Sequence, residues 1–137
     1  ELKHVRILGP ERSATQIELA QTDCRNIGIK APVRSSGDTK GTPGVTLRGP
    51  NGTLTVPEGV MIADRHIHMT PAQAAAFGLA NGDRVQVKID GPKPGVMGGV
   101  LIRANDKCAL DFHIDTDDGN AFLLKQGQLV TVLGKEE

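Results

Sequence analysis

No stretch of this sequence reads as a long helix, and that absence limits its fold more than any other feature. Parallel α/β sheets need helical crossovers of a dozen or more residues between their strands. Here the apolar runs are short, many alternate at period two, and glycine and proline interrupt them throughout. Arg84-Val85-Gln86-Val87-Lys88-Ile89 is the cleanest case, a strand buried on one face. The pattern predicts a mainly β protein, two small β-barrels with short capping α-helices, rather than a parallel α/β sheet. A length of 137 residues suits one ordinary domain or two small barrels sharing an interface.

Strands are expected at residues 3–9 and 15–20 around a Gly9-Pro10 turn, and a short helix over 23–28 that ends on glycine. Residues 33–57 are dense in Gly, Pro, Ser and Thr and read as loops and short hairpins. Thr70-Pro71-Ala72-Gln73 has the form of a capping box, with proline in the first turn of a helix that stops at Gly78. Further strands are expected over 98–102, 109–114 and 129–133, and a short helix over 117–124.

With three Phe and neither Trp nor Tyr, the core has to be built from Val, Ile, Leu and Ala. Aromatic platforms for stacking nucleic-acid bases are excluded on the same ground. Sixteen basic and sixteen acidic residues cancel, which removes any bulk electrostatic case for nucleic acid or an anionic membrane. No apolar run approaches the ~20 residues of a membrane span. No signal peptide opens the chain. Cys24 and Cys108 stand apart without a CxxC, so reduced thiols in a cytosolic setting are expected rather than a disulfide or metal ligands. The chain begins Glu1-Leu2-Lys3, which suits a processed product or one piece of a longer protein.

The chemistry concentrates at Arg65-His66-Ile67-His68-Met69. Side chains two apart on a strand share a face, so both imidazoles can converge on one transition metal. The alternative is a plain polar strand face. Two residues could extend such a site. His113 stands between Phe112 and Ile114, and Glu18 between Ile17 and Leu19, each as an inward ligand or a solvent-facing strand residue. His4 has no partner at useful spacing and reads as a surface residue.

Four separated motifs occur in order: Gly9-Pro10-Glu11-Arg12 with Thr15-Gln16-Ile17-Glu18, Pro32-Val33-Arg34 with Ser36-Gly37-Asp38, Arg65-His66-Ile67-His68-Met69, and His113-Ile114-Asp115-Thr116-Asp117 with Asn120-Ala121. Over nearly its whole length the chain resembles the phosphate propanoyltransferase family, the metal-dependent phosphotransacylases of propanediol-utilising bacterial microcompartments. The resemblance implies an acyltransferase that exchanges CoA and phosphate reversibly on a short acyl group. It implies two metal ions, zinc or cobalt, in an active site between two β-barrel domains, residues 1–63 and 64–137. The implied metal ligands are Glu18, His66, His68 and His113, with Arg12 contacting phosphate and Arg6, Leu8, His113 and Asn120 contacting CoA. A homodimer in the cytoplasm or inside a microcompartment is implied as well.

The chain departs from the family pattern in two ways. Asp118-Gly119 stands where Glu-Ala is expected, beside Asn120. The family's additional His-x-His near its N-terminus, and the first strands around it, have no counterpart. The chain therefore reads as the C-terminal portion, with the missing segment lost or present as a separate associated chain. Two other readings remain open at this point. His68-Met69-Thr70-Pro71 through Val85 also resembles a double-psi barrel unit, which allows a non-catalytic metal- or cofactor-binding module. A zinc-dependent thioester hydrolase could use the same ligands. Asp115 and Asp117 could orient His113 or could favour a helix start. Arg34 reads as a turn-stabilising ion pair more readily than as a contact to CoA phosphates.

Overall fold

The computed structural model of the chain describes residues 1–9 and 11–136. Two compact units make it up, Glu1–Ala63 and Asp64–Glu137.

In the first unit, β1 (Ile17–Glu18) and β2 (Val33–Arg34) flank β5 (Val60–Ala63), both pairing in parallel with it. Between β1 and β2 runs α1 (Gln21–Ile27), capped by Gly28 at φ 74°, as the helix-then-glycine pattern predicts. The Gly/Pro-rich stretch contains one regular hairpin, β3 (Val45–Gly49) with β4 (Gly52–Val56), turning at Pro50-Asn51. Its small core gathers Ile17, Leu19, Cys24, Val56, Val60 and Ile62. Gly59 serves a close approach: at φ 135° an added Cβ would lie 2.5 Å from the Thr15 carbonyl oxygen, where the chain crosses toward β1.

The strand expected over 3–9 does not form. Residues 5–9 have no regular structure, His4 takes a left-handed φ of 60°, and Ile7 is 99% exposed. An extended segment becomes a strand only when another strand takes up its backbone hydrogen bonds. No described strand does so here. The expected Gly9-Pro10 turn lies partly outside the described residues, because Pro10 is not among them. The strand expected at 15–20 is reduced to Ile17–Glu18.

The second unit is a five-stranded mixed sheet in the order β10-β7-β8-β6-β9. It comprises β6 (His66–Met69), β7 (Arg84–Ile89), β8 (Gly95–Ala104), β9 (Asp111–His113) and β10 (Thr131–Lys135). Parallel strands β6 and β8 are connected through α2 (Pro71–Ala76) and β7, so a parallel pair arises without a long helix. Thr70 and Gln73 complete the predicted capping box, 3.2 Å and 2.9 Å. Along β7 exposure alternates residue by residue, as its sequence predicts, with Val85, Val87 and Ile89 fully buried. These three join Ile67, Met69, Ala74, Leu79, Met97, Val100 and Ile102 in the core, where each large side chain contributes roughly 1.5–3 kcal/mol.

The last strand begins two residues later than expected, and its register slips between Val132 and Gly134. Helix α3 (Thr116–Phe122) starts on the Asp115 cap and lays Phe122 against β8. An added Cβ at Gly95 would fall 2.7 Å from that ring. Among the described residues no sheet closes into a barrel. The hydrogen-bonded orders end at β1 and β2 in one unit and at β10 and β9 in the other, because no further strand takes up those edges. Mainly β with short helices holds.

Candidate metal centre

The His-x-His strand β6 lies between β8 and β9. Its antiparallel register with β9 sets His66 opposite His113 and His68 opposite Asp111. Two-residue periodicity puts His66 and His68 on one face, and the cross-strand pairing brings His113 to the same place. The three rings form a triangle with centroids 4.7, 4.8 and 5.1 Å apart. One ligand atom from each imidazole lies within 4.8 Å of the others. His66 is buried, His68 half-buried and His113 exposed, so the cluster opens on one side.

The hydrogen bonds around the rings suit a metal. His66 Nδ1 donates to the Asp64 carbonyl at 2.7 Å, which leaves Nε2 of the neutral ring bare. That Nε2 stands 3.1 Å from His68 Nε2. Two nitrogens bound tetrahedrally to zinc at 2.0–2.1 Å would be about 3.3 Å apart, so only a small adjustment is needed. His68 Nδ1 meets Cys108 Sγ at 3.2 Å, and His113 Nε2 meets Asp111 Oδ2 at 3.1 Å. Burial first, then the neighbouring His66 and His113, hold the His68 pKa below its ordinary value. A neutral imidazole is the form that binds a metal. The donor set of three imidazoles, open on one face, therefore fits a transition metal with vacant coordination positions.

An ion pair ties this centre to the following helix: Arg65 reaches Asp118 at 3.1 Å. Burial pushes the Asp118 carboxyl upward and Arg65 opposes the shift.

The remaining residues singled out in the sequence belong to other elements and segments of the chain. Asn120 is exposed on α3, in the same unit as the imidazoles. Glu18 is exposed on β1 of the first unit, where Gln16 Nε2 donates to it at 2.5 Å. The same Gln16 amide is held by Ser36 Oγ at 2.9 Å and by the Gly37 backbone N–H at 2.7 Å. Arg12 lines a cavity of about 300 Å³ with Ser13, Ala14, Gln16, Gly37 and Thr39. Arg6 and Leu8 belong to the exposed N-terminal stretch.

Arg34 pairs with Asp38 at 3.4 Å, the turn-stabilising role expected of it. Asp115 caps α3 by accepting from Asp118 N at 2.8 Å, so it serves the helix start. The carboxylate on His113 is instead Asp111, two residues along the same strand, a spacing readable in the sequence. Cys108 gave no sequence signal. Its place beside His68 comes from a turn that only the fold creates. Neither cysteine is in a disulfide. No described helix is long and apolar enough to cross a membrane.

Comparison with known proteins shows the family. The family model described as phosphate propanoyltransferase matches residues 1–125. A protein of that name from Thermotoga maritima is 45% identical over 133 residues, covering 96% of this chain and 63% of the relative. One from Salmonella typhimurium is 48% identical over 122 residues, covering 88% of this chain and 58% of the relative. One from Shewanella putrefaciens is 47% identical, covering 97% and 64%. The chain thus spans about three fifths of the length of these relatives. With a matching family model over most of its length and relatives nearly half identical to it, the chain belongs to the phosphate propanoyltransferase family.

Proposed function

We propose that this chain carries a metal centre of a phosphotransacylase catalysing acyl-CoA + phosphate ⇌ acyl phosphate + CoA on a short acyl group. The observation that carries the reading is the three-imidazole cluster on β6 and β9, in a chain of this family. His66, His68 and His113 would hold one ion, zinc or cobalt, and Glu18 would serve a second. A bound ion supplies a Lewis acid able to polarise a carbonyl or phosphoryl oxygen.

The chain's own groups have separate tasks. Arg12 offers a planar fork of donors matched to phosphate oxygens and holds the nucleophile. A phosphate oxygen attacks the thioester carbonyl carbon. The carbon–sulfur bond then breaks, and CoA leaves as a moderately stable thiolate, so no strong general acid is required. Gln16, fixed by Ser36 and Gly37, keeps the Glu18 carboxylate oriented. Arg6, Leu8, His113 and Asn120 would contact CoA. We assign residues 1–63 and 64–137 to two β-barrel domains. The relatives' greater length supports strands beyond this chain, within the same polypeptide or an associated one, as the source of closure. A homodimer, in the cytoplasm or a microcompartment, completes the proposal.

The test is phosphate-dependent release of free CoA thiol from propionyl-CoA or acetyl-CoA, with and without chelator. It is run on this chain alone and joined to the segment its longer relatives carry. Release that requires phosphate and is abolished by chelator is expected. Thiol release independent of phosphate would indicate a hydrolase, and metal binding without turnover in either form would indicate a binding module.

A further inference from the structure

Cys108 belongs to no motif of the chain, yet its sulfur lies 3.2 Å from Nδ1 of His68. The position is built. Asn105 N–H donates to the Met69 carbonyl at 2.9 Å, tying the β8–β9 turn to the end of the His-x-His strand. Within the turn, Asn105 accepts from Lys107 N through its side chain and from Cys108 N through its carbonyl, at 2.8 and 3.1 Å. Cys108 is consequently carried to the edge of the His68 ring that faces away from His66.

That edge decides its role. His66 and His68 approach each other through their Nε2 atoms, whereas Cys108 meets the opposite nitrogen. An ion bound at His68 Nε2 lies across the ring from the sulfur, beyond the roughly 2.3 Å of a zinc–sulfur bond. The group of side chains able to share one ion contains the three histidines and not Cys108.

The tautomers supply the rest. The Asp64 carbonyl can only accept, so neutral His66 carries its proton on Nδ1 and its Nε2 is bare. With no ion between them, the 3.1 Å contact requires His68 Nε2–H as donor, and His68 Nδ1 then accepts from the Cys108 thiol. With an ion bound, both Nε2 atoms are bare, the His68 proton resides on Nδ1, and the sulfur becomes the acceptor. A thiol can do both, whereas a carbonyl or an alkyl group cannot.

We propose that Cys108 is a positioning residue for His68, a donor–acceptor partner that lets the ring exchange tautomers as a metal binds and then holds Nε2 toward it. The inference rests on the metal-centre reading. It is tested in the full chain by comparing zinc affinity, measured by competition with a chromogenic chelator, for the unaltered protein, C108A and C108S. C108A is expected to bind about 10–100-fold more weakly, the usual cost of losing an outer partner. C108S, whose hydroxyl also donates and accepts, is expected to recover most of that loss. The cobalt-loaded unaltered protein should lack the intense thiolate-to-cobalt charge-transfer band. Should C108A fail to fold, C108V repeats the test at near-thiol size.

Equal affinity for C108A and the unaltered chain, or equal weakening in C108A and C108S, overturns the proposal. A charge-transfer band lost in both variants makes Cys108 a ligand instead and overturns it as well. Failure of the unaltered chain to bind zinc or cobalt removes the metal reading, and the positioning role with it.

Discussion

The two units of this chain put similar chemistry on very different supports. In the second, three imidazoles project from adjacent strands of a five-stranded sheet with ten fully or nearly buried apolar residues beneath it. In the first, Arg12 and Glu18 sit on irregular backbone and a two-residue strand, over a core cluster of six. Sheet registers place side chains to a fraction of an ångström, whereas loops depend on local hydrogen bonds such as those of Gln16. The difference teaches that the three imidazoles are placed by strand pairing, while Glu18 is held by a small polar network through Gln16.

The largest expected effect separates the units directly. His66→Ala should weaken zinc binding beyond the roughly hundredfold that losing an outer partner costs at most. Glu18→Gln should leave the ion at the three histidines bound within about twofold, as measured by the same chelator competition. Comparable losses in both variants would break the separation.

Next comes the core. Ile89→Ala, at the fully buried end of β7, should cost about 3–4 kcal/mol, within the usual range for isoleucine truncation. Ile17→Ala, in a two-residue strand at 9% exposure, should cost about 2 kcal/mol because the surroundings can collapse. Urea unfolding followed by circular dichroism reads both, and a reversed order would contradict the contrast in support.

A smaller effect sharpens the picture of α2. Thr70→Ala removes the capping acceptor and should cost about 1 kcal/mol of stability in the same unfolding measurement.

The smallest effect concerns pH. A hydrogen bond from Lys135, at 2.7 Å, is the main cause that holds the Asp83 carboxyl below its ordinary 3.8. Between the lowered native value and 3.8 the unfolded chain binds more protons than the native one. The contribution is therefore complete above that window and is lost as pH falls through it. Asp83→Asn should flatten the acid limb of the stability–pH curve, lying slightly below the unaltered chain above the window and converging with it below. An unchanged acid limb would show that the pair does not join β10 to the sheet energetically.

Parts of this molecule were legible residue by residue. The alternation of Arg84–Ile89, the capping box at Thr70 and the glycine stop at Gly28 are local signals, and local backbone geometry honours them. The common face of His66 and His68 follows from strand periodicity alone. The segment at 3–9 looked equally strand-like and is not a strand, because propensity cannot provide a pairing partner. The offset of β10 has a similar origin: a slip at Val132–Gly134 is a property of two strands together, Gly134 taking a φ of 139°.

By itself the sequence determined the class of fold, the strand bearing two same-facing imidazoles, and the family, since these depend on residue type and spacing. Tertiary structure alone decided that His113 completes the triangle and that Cys108 reaches His68 from forty residues away. Each of those is a relation between strands or turns distant in the chain. Only the register of β6 with β9, and the turn tied to Met69, make them neighbours.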